Sequence, residues 1–212
     1  MADAPELFVY PRRGGDGESL LDRPLAVVDL ETTGFTPGPD RAVEIGIVRV
    51  ESGHVVDEWT SLLHPSRDVG PTWVHGVTDE MVADAPPFAD LADEILDRFE
   101  GAVVVAHNAP FDASFLAHEF AVAGLTPPPL PAACTLQVAR WSRLALPNYR
   151  LATCCEAFGL TNTGAHSALG DARVTAELAV QLLGGAPELR WPVPPPALPR
   201  GGGRSAPRPR PA

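Results

Sequence analysis

The sequence predicts an α/β fold held in one domain, with less regular chain at both ends. Short continuous apolar runs rich in β-branched residues, at residues 25–28 and 102–106, have the length and make-up of strands buried between other layers. Phe88, Leu91, Ile95 and Phe99 recur at helical spacing and put one apolar face on residues 88–99. Of the 212 residues 45% are hydrophobic, which is enough for one well-buried core of this class with chain left over.

In chain order, residues 1–23 mix Gly, Asp, Arg and Pro and read as a loosely held arm, with Leu7 to Tyr10 as an apolar patch able to rest on the body. Residues 25–34 are the first strand and its turn. A Pro/Gly turn follows, and residues 42–50 alternate as a second strand. Ser52 and Gly53 signal a turn, and residues 54–63 return as a third strand, giving a meander. Thr78 is placed to cap a short helix, and residues 88–99 form the next. The strand at 102–106 runs into His107, Asn108, Phe111 and Asp112, and a helix continues to Ala123. Residues 127–131 read as a stiff proline bridge. Helices are expected at 135–144, at 151–158 closed by Gly159, and at 168–183, the last with a face of small residues. This gives a body at 24–184 and, by composition, a disordered Pro/Arg-rich tail at 185–212.

The formal net charge is −11, yet the tail from Ala186 holds five Arg and one Glu, which leaves 11 Arg against 26 acidic residues in residues 1–185, a balance of −15. The chain has no lysine, so contacts to phosphate fall to Arg, backbone amides, hydroxyls or metal, and a broad basic nucleic-acid clamp is excluded. Cys134, Cys154 and Cys155 are odd in number, two of them adjacent, which fits neither a disulfide framework nor a zinc site. The N-terminus lacks the apolar core of a signal peptide and no apolar run is long enough to span a bilayer, so a soluble, cytoplasmic protein with no membrane partner is expected.

Asp29 and Glu31 stand two positions apart at the end of the first strand, so strand alternation aims both carboxylates at one side. Such a pair resists desolvation unless a proton or a cation separates it, and a hard divalent metal satisfies both. A turn cap at Asp29 with Glu31 in solvent is the ordinary alternative. Asp112 also reads as an N-cap, Asp171 as an acidic residue suited to a helix start, and His166 as a loop histidine. Together they amount to four carboxylates at or near element ends plus one titratable base.

Asp29-x-Glu31-Thr32-Thr33-Gly34, His107-Asn108-x-x-Phe111-Asp112 and His166-x-x-x-x-Asp171, in that order, resemble the three motifs of the DEDDh 3′-to-5′ exonucleases, most closely the proofreading epsilon subunits of bacterial DNA polymerase III. The resemblance spans residues 24–183 and includes the phrase from Val74 to Asp79. It implies a ribonuclease H-like fold with a five-stranded mixed sheet and helices on both faces. It also implies hydrolysis of the terminal phosphodiester with two Mg²⁺ or Mn²⁺ ions. Asp29 would bridge both ions, Glu31 and Asp171 would complete the tighter site, Asp112 would hold the second ion, and His166 would take the proton from the attacking water.

Glu31 and His166 would also touch substrate, the backbone of Thr32, Thr33 and Gly34 would meet the terminal nucleotide, and His75, Asn108 and Phe111 would line its sugar or base. The partner is then a nucleic acid with a free 3′ end, DNA ahead of RNA. Cys134 stands where the family often has an acidic residue, and the tail carries no clamp-binding pattern beginning with Gln. A freestanding exonuclease is therefore expected ahead of a subunit bound to a polymerase or repair protein.

Overall fold

The computed structural model describes residues 7–13, 18–20, 23–142, 144–186, 189–191 and 209. Its centre is the predicted meander, strands β4 (Leu25–Thr32), β5 (Ala42–Glu51) and β6 (His54–Leu62), antiparallel throughout; the shorter β1 (Phe8–Val9), β2 (Arg12–Arg13) and β3 (Glu18–Ser19) precede it. Ser52 and Gly53 make the β5–β6 turn with φ of 51° and 80°, a conformation that a glycine adopts without strain. On the other side of β4, β7 (Val103–Ala106) and then β8 (Leu130–Cys134) pair in parallel. The outermost strand is β1 (Phe8–Val9), parallel to β8, so the sheet has six strands in the order β1-β8-β7-β4-β5-β6.

Six strands replace the expected five because part of the arm docks. Phe8 and Leu7 are buried, and the Leu130 amide donates to the Leu7 carbonyl at 2.7 Å, so this stretch is not loosely held. β8 starts inside the expected proline bridge. Its Pro131 lacks an amide but pairs with the two-residue edge strand, where a missing donor costs little. A second, three-stranded sheet has β9 (Leu189–Trp191) between β2 (Arg12–Arg13) and β3 (Glu18–Ser19). Chain from the expected tail is thus paired with chain from the arm, while most of residues 192–212 lie outside the described residues.

Alternation along β4 sorts the core into two layers. Ala26, Val28 and Leu30 face the layer built by α3 (Phe88–Phe99) and α4 (Pro110–Val122), with Leu91, Ile95, Phe99, Phe115 and Phe120. Leu25 and Val27 face the layer built by α5 (Thr135–Trp141), α6 (Leu151–Ala157) and α7 (Ala168–Gly184), with Cys155, Ala172, Ala176, Ala179 and Leu183. α6 is followed by Gly159 at φ 70°, as its sequence signal indicates, and α5 stops three residues short of its expected end. The short α1 (Thr72–His75) and α2 (Asp79–Val82) lie in the connection after β6, and Thr78 caps α2 by accepting from the Met81 amide at 3.4 Å. Buried Glu119 of α4 is matched by Arg41 just before β5 through bonds of 2.8 and 2.6 Å, as a buried charge requires. No helix among the described residues is long and apolar enough to cross a membrane.

Candidate metal and active site

Asp29 and Glu31 continue the parity of Leu25 and Val27, so both carboxylates leave β4 on the face that α7 covers. What brings α7 close is the residue opposite Asp29. That residue is Gly46 on β5, and a side chain there would lie 2.5 Å from the backbone of Ala168 and Leu169. The helix start therefore rests on the sheet beside Asp29. Ser167 caps it by accepting from the Gly170 amide at 3.2 Å, and buried Glu44, opposite Glu31, accepts from the Ala168 amide at 3.2 Å. One turn into α7, Asp171 joins the pair. A carboxylate oxygen from each of Asp29, Glu31 and Asp171 lies within 4.8 Å of the other two.

Asp112 arrives from the opposite layer. Pro110 begins α4 with a preset φ, and the first turn of the helix carries Asp112 buried to the end of β4, next to the Leu30 amide. Burial, and then the charge of Glu31, push its pKa up to about 8. Asp29 is also held well above the usual carboxylate range, first by burial and then by Asp112, Asp171, Glu31 and Glu44. These groups cannot all ionise together without a cation among them. The donors are all carboxylate oxygens, which suits a hard divalent ion such as Mg²⁺ or Mn²⁺. The residues present fit the metal centre that the motifs imply.

His166 is exposed, at a positive φ of 65°, and its amide donates to Asp171 Oδ2 at 3.2 Å. Asn162, which the sequence reading did not single out, donates its side-chain amide to Asp171 Oδ1 and accepts from the Gly164 amide at 3.1 Å. Both oxygens of Asp171 are thus engaged by the loop that carries His166. Asn162 has no motif to announce it. Glu44 and Gly46 could have been noticed as a charge and a missing side chain inside an otherwise apolar strand.

Thr32, the last residue of β4, and Thr33 in the turn after it are buried; Thr32 Oγ1 donates to the Gly34 carbonyl at 2.6 Å and Thr33 Oγ1 to Asp40 at 3.1 Å. Gly34 has no room for a side chain, since one would meet the Asp40 carboxylate at 2.5 Å. Asn108 is exposed with φ 69° at the turn into α4, and its carbonyl accepts from the Phe111 amide at 2.9 Å. Phe111 is half-buried with its ring centroid 5.0 Å from that of Phe115.

His75 is buried and engages both ring nitrogens inside its own loop. Nδ1 accepts from the Val77 amide at 3.0 Å, which leaves Nε2 to donate to the Val69 carbonyl at 3.2 Å. His107 is likewise bonded on both sides, with Nε2 donating to the Tyr149 carbonyl and Nδ1 facing the Thr135 hydroxyl, each at 2.9 Å. Burial lowers its pKa, and the ring ties the end of β7 to α5.

Residues 26–179 match the RNase_T family, described as Exonuclease. The chain is similar to the PolC-type DNA polymerase III of Caldanaerobacter subterraneus subsp. tengcongensis, 34% identical over 171 residues that cover 80% of this chain and 12% of that protein. It is also similar to a putative bifunctional exonuclease/endonuclease protein of Mycobacterium tuberculosis, 36% identical over 179 residues that cover 79% of this chain and 28% of that one. The chain therefore corresponds to a minor part of these longer relatives. Among solved structures, Exonuclease X in complex with 5′ overhanging duplex DNA superposes with a TM-score of 0.60 at 29% identity, covering 76% of this chain and 92% of that one. A structure of exonuclease I, at 20% identity and a TM-score of 0.67, shares the fold over 77% of this chain and 43% of that chain.

Proposed function

The chain belongs to the RNase_T exonuclease family, and from that premise we propose that it is a metal-dependent 3′-to-5′ exonuclease that releases nucleoside 5′-monophosphates from single-stranded or frayed DNA ends. The observation that carries the proposal is the convergence of Asp29, Glu31 and Asp171, from β4 and α7, with buried Asp112 beside them. In this reading Asp29, Glu31 and Asp171 would hold one divalent ion, and Asp112 would help to hold a second. Bound Mg²⁺ or Mn²⁺ supplies the Lewis acidity that activates water and stabilises a leaving 3′ oxygen.

The remaining work falls to the chain. The His166 imidazole accepts the proton of the attacking water, and its exposed loop position gives it access to a bound strand end. The backbone of Thr32, Thr33 and Gly34 and the side chains of Glu31, Asn108 and Phe111 border the place of the terminal nucleotide. His75 supports this border by fixing the loop that presses Gly70 against Thr33. DNA is favoured by the relatives, whose names are those of DNA polymerases or of a nuclease bound to duplex DNA. A freestanding enzyme is favoured by the likeness to Exonuclease X, of which this chain covers 92%.

The test is degradation of 5′-labelled single-stranded DNA, mismatched duplex and RNA with Mg²⁺, Mn²⁺ or chelator, beside His166→Ala. A metal-dependent ladder shortening from the 3′ end is expected, strongest on DNA, and slowed by about 10² to 10⁴ in the variant. Survival of every substrate would refute the proposal. An RNA ladder stronger than the DNA ladder would reassign the substrate, and an unchanged rate in the variant would remove His166 as the base.

A further inference from the structure

β4, β7 and β8 run parallel, so the ends that carry Glu31, Asn108 and Cys134 share one edge of the sheet. Ligands of open α/β sheets bind outside that edge. Along it, beyond the carboxylates, lies a half-open cleft of about 260 Å³. Its walls are Pro110 at the start of α4, Cys134 at the end of β8, Gln137 and Trp141 of α5, and Tyr10 and Pro11 of the arm. Pro110 is two residues from Asp112, and β8 stands two strands from β4, or about 10 Å.

We propose that this cleft is a base-binding subsite, which takes a nucleobase of the substrate strand upstream of the nucleotide being removed. The proposal rests on the exonuclease reading above. None of the described lining residues is charged, so the cleft suits a neutral planar group and not a phosphate. Tyr10 and Trp141 are half-buried aromatic residues in its wall, a residue type on which bases stack, and Gln137 carries both a donor and an acceptor of the kind a base edge needs. At about 260 Å³ the cleft is smaller than those that enclose drug-sized ligands, roughly 300 to 1,000 Å³, and is scaled to a flat ring system.

The need for such a site follows from composition. With no lysine and a strongly acidic body, the protein has little diffuse positive surface to hold a strand, and stacking on aromatic side chains is the sequence-tolerant alternative. The docking of Phe8–Val9 on β8 then acquires a purpose, because it brings Tyr10 and Pro11 to the cleft.

The experiment compares two substrates of the full chain: a short single-stranded DNA, and thymidine 5′-monophosphate p-nitrophenyl ester, which has no upstream base. Trp141→Leu is expected to raise KM for the oligonucleotide by roughly 5- to 150-fold, the loss of one base–aromatic stack, with kcat unchanged. Its rate on the ester stays that of the wild type, and Trp141→Phe restores the oligonucleotide KM. Gln137→Ala, at a half-buried polar residue of α5, is expected to raise the oligonucleotide KM several-fold. An unchanged oligonucleotide KM in both Trp141→Leu and Gln137→Ala would overturn the subsite, as would an equal fall on both substrates in both variants. If the wild type cleaves neither substrate, the exonuclease reading itself falls, and the subsite with it.

Discussion

Asp171 illustrates how much of a metal ligand's behaviour is set by its neighbours. Asn162 and the His166 amide each engage one of its oxygens, so the carboxylate is oriented before any ion arrives. Partners of this kind typically carry about 10- to 100-fold in metal affinity or activity. Asn162→Ala is expected to raise the Mn²⁺ concentration for half-maximal hydrolysis by that factor, while the rate at saturating Mn²⁺ falls less; an unchanged metal requirement would remove the role. Asn162 was invisible in the sequence because a lone polar loop residue has no periodicity and no motif spacing. The carboxylates were visible for the opposite reason. Asp29 and Glu31 interrupt an apolar strand at spacing two, and a buried strand does not tolerate such a pair without a function to match it.

At the scale of elements, the site depends on one contact between α7 and β5. Gly46 is the point where helix backbone touches strand, and Gly46→Ala puts a methyl group into space held by Ala168 and Leu169. Overpacking of this kind costs about 1 to 3 kcal/mol. The variant is expected to melt at lower temperature and to lose activity beyond what its folded fraction explains, since the start of α7 carries Asp171. Full activity per folded molecule, measured by circular dichroism alongside hydrolysis, would contradict this.

The elements themselves were legible in unequal degree. The meander and the helix of residues 88–99 follow local periodicity and turn signals, and they form where the sequence places them. β8 does not, because Leu130 to Cys134 contains no β-branched residue and no alternation. It is extended because β7 and β1 offer partners on both sides, which is a tertiary cause. β1 and β9, of two and three residues, are likewise decided by docking.

For the molecule as a whole, the crowded carboxylates set a conflict between stability and metal binding. Asp29 and Asp112 are raised in the folded state, so the folded chain without metal binds more protons than the unfolded chain. Their contribution to stability is present at low pH and is lost as pH rises from about 4 towards about 8, where Asp112 ionises. Between pH 5 and 8 in chelator, the melting temperature of the wild type should therefore fall relative to that of Asp112→Asn, which has no proton to lose. Mn²⁺ should reverse the trend in the wild type, and parallel curves for the two proteins would show that the carboxyl is not raised. The same protons must leave when metal binds. The most direct test of the carboxylate cluster as a metal centre is calorimetric titration of the purified chain with Mn²⁺ at pH 6.5 in buffers of different ionisation enthalpy. Saturable binding with release of protons, abolished in Asp29→Ala, is the expected result; a wild-type chain that takes up no Mn²⁺, or that binds it equally after Asp29→Ala, would contradict it.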